Sequence, residues 1–375
     1  MSRKQVVQDR TCVELTVKPD KKQEEEIKQA ILDGDTGKAA QLRAAFLKAN
    51  KWNVTDTINV VFESLDPVGF EPIYDNYGNL IGPDLNEDKN EILLTSSGAM
   101  DTKNGPMDPL QLEFLNQGTN INIPEAIETI VQKRIAPLVG MTITFDLDNE
   151  WDGNYRDNEI VISFKQTGAW SYVGTGINNK TTQRPTMNFG WFDVATVIHE
   201  FCHALGMIHE HQNPYGTEID WNKPNLYQWA METQGWDEDQ TNKQIIDKYN
   251  QNDINGSAFD PCSVMLYFYP AYLTNNNVGT SQNLRMSPVD MEWLANQYPG
   301  GDFDGKSGVE EFYLSIFPDE DSDGFDDKIA ACETMAAQFG ESQPNTTSSG
   351  MLSGGNTRNI ITGLLVVLIV ALLFK

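Results

Sequence analysis

The chain has 375 residues, with 27 basic against 54 acidic side chains and a formal net charge of −27. Its length suggests about two domains and a buried core, and 39% hydrophobic with 22% charged residues is ordinary for a globular protein. The negative excess repels phosphate backbones and bare anionic lipid, which excludes nucleic acid as a partner and favours bound cations.

Residues 1–50 are polar and helix-prone. "KKQEEEIKQAIL" and "KAAQLRAAFLKA" flank the turn-like "DGDTG", which predicts a helical hairpin or a pro-like segment. The first twenty residues hold no apolar run, so no secretory signal peptide is expected there. The texture changes at Trp52. "TINVVFES" (57–64) predicts a strand, and residues 65–120, rich in Gly, Pro, Asn and Asp, predict a loop-bearing insertion. "IPEAIETIVQKRIAPL" (123–138) predicts a helix with Pro124 at its first position and Ile127, Ile130, Val131 and Ile135 on one apolar face. "MTITFDL", "EIVISFK" and the aromatic "AWSYVGT" (169–175) read as strands. A helix is expected from about Asp193 to Ile208. Two more follow, through "NLYQWAMETQG" and "TNKQIIDKYN", then a turn at "DPCSVMLYFYP" and a last helix at "SPVDMEWLANQY".

All four histidines of the chain fall within residues 199–211, "HEFCHALGMIHEH". His199 and His203, at i and i+4, share one helix face, so two imidazoles can reach one metal ion. Glu200 then sits beside the metal's open position, suited to act as general base for a zinc-bound water. Gly206 can take a positive φ, end the helix and turn the chain so that His209 supplies a third imidazole. Three histidines and a water are a catalytic rather than a closed structural zinc site. The four cysteines, Cys12, Cys202, Cys262 and Cys332, form no CxxC pair and are too sparse for a disulfide scaffold. Buried free thiols are expected, with Cys202–Cys262 the pair to bridge if one forms.

The histidine segment resembles the long zinc motif of the metzincin proteases, HExxHxxGxxH followed by a Met-turn, for which "SVMLY" (263–267) is the candidate. Within that clan the chain resembles the astacin family, in its simpler microbial-type members. Glu210, Tyr267, "AWSYVG" (169–174), "TMNFGW" (186–191) and "LRMSPVDMEWLANQYPG" (284–300) carry the resemblance, which spans about residues 52–300. It implies an α+β metzincin-like fold with a mixed twisted sheet and two long helices in the upper half and an irregular lower half. It also implies a zinc-dependent endopeptidase: His199, His203 and His209 as ligands, Glu200 as general base, Tyr267 as a catalytic tyrosine and Met265 as the floor beneath the metal. Trp170, Ser171, Tyr172, Val173 and Gly174 would form the edge strand that pairs with an extended peptide or protein substrate. The competing class is a membrane-tethered zinc-binding attachment protein without turnover, against which the intact Glu200 and Tyr267 argue.

The chain also departs from the family. Astacins usually carry two disulfides in the catalytic domain, and only Cys202 and Cys262 lie there. The 65–120 segment is foreign to the family core. "LDGD" (32–35) resembles the family's propeptide Phe-x-Gly-Asp with Leu for Phe, but a helix-connecting turn is the favoured reading. In mature astacins the glutamate at the position of Glu210 connects to the new N-terminus. His211 matches the family pattern and is expected to be a solvent-facing loop histidine without a metal role.

Beyond residue 300 the texture changes again. "DEDSDGFDD" (319–327) places Asp319, Asp321 and Asp323 at alternate positions, then Gly324 and Asp327, a pattern that can wrap Ca²⁺ and resembles thrombospondin-type calcium repeats. "DFDGKSG" (302–308) is a weaker companion, and an acidic solvated surface is the other reading. Residues 340–359 are a Gly/Ser/Thr/Asn linker. Residues 360–374 are fifteen uncharged, almost wholly apolar residues, about 22 Å as a helix against a hydrocarbon core of about 30 Å. They are expected to be a single-pass C-terminal membrane anchor. A tail anchor is preferred to a GPI signal because no signal peptide opens the chain.

Overall fold

The computed structural model describes residues 13–15, 50–65, 108–117 and 121–340, apart from 167, 180, 181, 183, 191, 216–218, 250–257, 282 and 318–323. The chain divides into two units, Met1–Glu341 and Ser342–Lys375, and everything described lies in the first.

Alternating and continuous apolar runs build the sheet. In β2 (Thr57–Phe62), Ile58, Val60 and Phe62 are buried on one face. β4 (Glu159–Ser163) is buried along its whole length, as a central strand covered on both faces must be. With β1 (Val13–Leu15), β3 (Thr142–Glu150), β5 (Trp170–Tyr172) and β6 (Met187–Asn188) they form a six-stranded sheet in the order β1-β5-β6-β4-β2-β3. β2 runs parallel to β3 and β4, and β4 parallel to β6. β5 is antiparallel to β6 and parallel to β1. This is the mixed sheet of an α+β fold. The strand Val13–Leu15 was not expected in a helix-prone segment; its partner on β5 decides its conformation. The rest of residues 1–49, including the expected hairpin, "LDGD" and Cys12, lies outside the described residues.

The end of the segment read as an insertion is part of the core. Helix α1 (Pro109–Gln117) buries Leu110 and Phe114, and Phe114 meets Phe192 edge-on. Asp108 receives a two-pronged ion pair from Arg134, at 2.7 and 2.8 Å, both groups buried. Helix α2 (Ile123–Arg134) carries the predicted apolar face: Ile127, Ile130, Val131 and Ile135 are all buried. Asn122 caps it, so Pro124 is the second helical residue rather than the first. The helix stops before 138 because Pro137 has no N–H to continue it, and a 3₁₀ turn, Ala136–Leu138, follows. α2 packs on β3 and on α3 (Val194–Ala204), which in turn packs on β5. Helix α4 (Lys223–Gln234) ends on the left-handed Gly235, and α5 (Pro288–Gln297) opens with a Ser287–Asp290 capping box.

Among the described residues after 300, 305–316 and 324–340 are helical. Asp304, part of the weaker calcium candidate, accepts from the Gly305 N–H as cap of α6 (Gly305–Ile316), so its carboxylate serves the helix start. Asp327 is an exposed residue of α7 (Gly324–Gly340). Asp319, Asp321 and Asp323 lie outside the described residues, as do residues 341–359 and 360–374. Among the described residues no helix is long and apolar enough to cross a membrane.

Cys202 meets the expectation of a buried free thiol, and the disulfide bridge runs from Cys262 to Cys332 on α7 instead of to Cys202. Cys202 faces the hydrophobic core from the inner side of α3. Helix α7, which begins within the last residues of the calcium candidate 319–327, brings Cys332 to Cys262. Phe325 packs edge-on against Tyr313 at one end of α7. At the other end Phe339 enters a cluster with Ile219, Phe259 and Leu266. The bridge closes a separation of 70 residues. Cys332→Ser is expected to lower unfolding stability by about 2–4 kcal/mol, read as a fall in Tm with zinc held constant. An unchanged Tm would show that the apolar contacts of α7 suffice.

Candidate metal centre and cleft

Helix α3 begins where Asp193 leaves extended backbone and accepts the Thr196 N–H at 2.8 Å, while the Gln111 side chain accepts the Val194 N–H at 2.8 Å. One turn separates His199 from His203, and their rings stand 4.7 Å apart. The helix ends at Ala204, short of the expected Ile208. Gly206, at φ +95°, donates to the His203 carbonyl, and Met207 donates to that of Cys202. This is the 5→2 and 6→1 closure of a Schellman turn, which needs a left-handed residue that glycine supplies without strain. Two further end carbonyls are satisfied from afar: Trp52 Nε1 donates to Ala204 at 2.7 Å and the Tyr298 hydroxyl to Leu205 at 2.6 Å.

The reversal returns His209 to the helix face. Nε2 of His203 and Nε2 of His209 lie 3.0 Å apart, and the ligand atoms of His199, His203 and His209 all lie within 4.8 Å of one another. Backbone carbonyls fix two tautomers. His199 Nδ1–H donates to Val264 and His203 Nδ1–H to Met207, each at 2.8 Å, which turns their Nε2 lone pairs toward the shared centre. His199 Nε2 is buried there without a hydrogen-bond partner. Burial holds His199 down to about 4 and His203 and His209 well below the usual imidazole value, so all three are neutral at pH 7. Three neutral imidazoles and one buried, partnerless nitrogen fit a zinc ion, which binds the deprotonated ring.

Glu200 is fully buried beside the first of these histidines. Met265 is fully buried too, and its carbonyl accepts the Glu210 N–H at 3.0 Å, joining the 263–267 loop to the chain after the third histidine. The Tyr267 ring is 4.3 Å from that of His209 and 6.1 Å from that of His199. The Glu210 carboxylate accepts from the Asp260 N–H and the Asn213 amide, each at 2.9 Å, and burial pushes its carboxyl well up.

His211 differs from its expectation: it is 2% exposed, and its Nε2–H donates to the Gln244 carbonyl at 3.0 Å. A turn (Glu210–Gln212) follows His209 and folds the chain inward. Asp290 and Ser263, which the sequence did not single out, anchor the 263–267 loop. The Ser287-x-x-Asp290 capping pattern was the available signal for Asp290.

Trp170, Ser171 and Tyr172 lie on β5, whose one side is paired with β6 and whose other side is paired with Val13–Leu15. Val173 is buried, and Gly174, at φ +54°, ends the strand against Asn50. A Cβ there would lie 2.0 Å from the Asn50 oxygen, which accepts the Thr175 N–H.

Residues 141–292 match the family model for astacin, a peptidase family. Among the solved structures similar to this chain are two described as myroilysin. One, described as "Structure of myroilysin", is 24% identical, covering 68% of this chain and 97% of that chain with a TM-score of 0.45. The other, "Crystal structure of myroilysin", is 31% identical, covering 46% of this chain and 78% of that chain with a TM-score of 0.33. No curated protein matches. The matched stretch holds the three histidines, Glu200, Met265 and Tyr267, and is similar to the astacin peptidase domain.

Proposed function

We propose that the chain is a zinc-dependent endopeptidase acting at the His199, His203 and His209 centre. The observation that carries this reading is the convergence of three neutral imidazoles, one with a buried partnerless Nε2, beside Glu200 in an astacin-like domain. Zinc bound by these rings would supply Lewis acidity toward water and toward a peptide carbonyl.

The chain's own residues do the rest. The Glu200 carboxylate takes a proton from the attacking water and returns it to the leaving amine. The Tyr267 hydroxyl donates a hydrogen bond to the carbonyl oxygen as it gains charge. Strand β5 is paired on both sides, so it can hold an extended peptide only where the peptide replaces Val13–Leu15 on its outer edge. The apolar run 360–374 supports a membrane tether for this activity, and association resistant to carbonate washing should vanish when it is deleted.

Glu200→Gln should cut kcat about 10²–10⁴-fold on a casein or peptide substrate while zinc content stays at one per chain. If both proteins bind zinc, fold and are equally inert, the attachment-protein reading replaces this one. The outer edge of β5 is taken by Val13–Leu15, so an extended substrate must compete with it. Proline at both Glu14 and Leu15 removes the ladder donor, whichever of the two carries it. That variant should cleave peptide faster than the parent chain; an equal rate would show that β1 does not obstruct the cleft.

A further inference from the structure

The fourth histidine has no place in the metal set, yet it is packed as tightly as the three that do. The His211 ring lies 5.2 Å from that of His209 at an interplanar angle of 16°, and 4.9 Å from that of Tyr267 at 36°. Tyr267 and His209 meet each other at 4.3 Å. The three rings therefore form a closed triangle in which His211 touches both partners. Behind it Tyr269 stands edge-on at 5.5 Å, itself packed against Trp221 at 4.8 Å.

His211 is also tethered from behind. Its Nε2–H donates to Gln244 in the helical turn Asn242–Ile246. That turn is clamped by the neighbouring Gln212, whose amide donates to the carbonyls of Lys243 and Asp247 at 2.9 and 3.1 Å. A ring stacked on its face and bonded at its edge cannot swing, so it offers a fixed plane.

We propose that His211 is a positioning residue whose ring sets Tyr267, and with it the hydroxyl that meets the developing oxyanion. This rests on the reading of Tyr267 given under Proposed function. A tyrosine hydroxyl lies at the end of a lever with two rotatable bonds. Without the plate behind it, Tyr267 turns into a ring-sized void. A displacement of about 1 Å at a reacting group is worth about 10²-fold in rate. His209, gripped by its own position at the centre, moves less.

The test uses the full zinc-loaded chain and four variants: His211→Ala, His211→Phe, Tyr267→Phe and the double variant His211→Ala/Tyr267→Phe. His211→Ala should lower kcat about tenfold or more with KM nearly unchanged, since the lost contact is one realised in the transition state. His211→Phe keeps the plate and should recover most of the rate. In the Tyr267→Phe background, His211→Ala should cost almost nothing further, because there is no hydroxyl left to place. An independent readout is ¹⁹F NMR of the 3-fluorotyrosine-labelled chain, with the Tyr267 signal identified by its loss in Tyr267→Phe. That signal should shift or broaden in His211→Ala and stay near its parent position in His211→Phe. The proposal is overturned if the signal is unmoved in His211→Ala, if Phe is as harmful as Ala, or if the two single effects multiply in the double variant. Should the parent chain prove inert, the peptidase reading fails, and the NMR comparison still decides whether His211 sets Tyr267.

Discussion

The Asp290 carboxylate holds in place the Ser263–Met265 loop beside the three clustered histidines. One oxygen accepts the Ser263 hydroxyl at 2.6 Å; the other accepts the N–H of Val264 at 2.8 Å and of Ser287 at 2.9 Å. Ser263 passes the constraint on by accepting the Met265 N–H. The Val264 carbonyl, so fixed, orients His199, and the Met265 carbonyl holds the chain just past His209. A single side chain on α5 thus sets the tautomer of the first histidine and the approach of the third. Hydrogen bonds to a charged group are worth about 1.5–3 kcal/mol each, and a buried group left without them costs as much or more. The geometry of the centre is therefore an all-or-none property of this loop.

That arrangement carries an electrostatic cost. Burial raises Asp260 and Asp290 above the ordinary carboxylate range, and the charge of Asp290 raises Asp260 further. The donors oppose it: the Ser287 hydroxyl bonds Asp260 at 2.5 Å, and the Cys262 N–H bonds its other oxygen at 2.9 Å. Glu210 is raised by burial too, and its carboxylate accepts the Asp260 N–H. These three acidic side chains are held by hydroxyls, backbone amides and the Asn213 side-chain amide. Shielded donors of this kind fix orientation without placing a cation next to the imidazoles.

What was legible in the sequence was local. The i, i+4 histidines, the glycine that reverses the helix, the apolar face of α2 and the alternation of β2 follow from periods of a few residues. What was not legible depends on partners far away in the chain. Val13–Leu15 is a strand because β5 offers it an edge, and α1 is a helix in a Gly- and Asp-rich stretch because the core takes Leu110 and Phe114. The Cys262–Cys332 bridge needed the position of α7, which no pattern near Cys332 announces. His211 looked like a surface residue because its neighbours in sequence are polar. Its burial comes from Tyr267, Tyr269 and Gln244, all more than thirty residues away.

The crowding of every histidine into thirteen residues has a physical reading. Burial keeps His199, His203 and His209 unprotonated, which makes them good ligands and poor solitary residents of an apolar site. A partnerless Nε2 is costly there unless a cation takes its lone pair. His211 shares the same burial, which likewise holds it down to about 4. Facing Tyr267 and His209 as a neutral, flat ring, it adds no charge that would repel a metal ion. A protonated lysine or arginine at that position would set a positive charge against the ion, and an aliphatic side chain would offer no plane. The environment that suits three of these rings to a metal ion also makes the fourth a suitable neighbour for them.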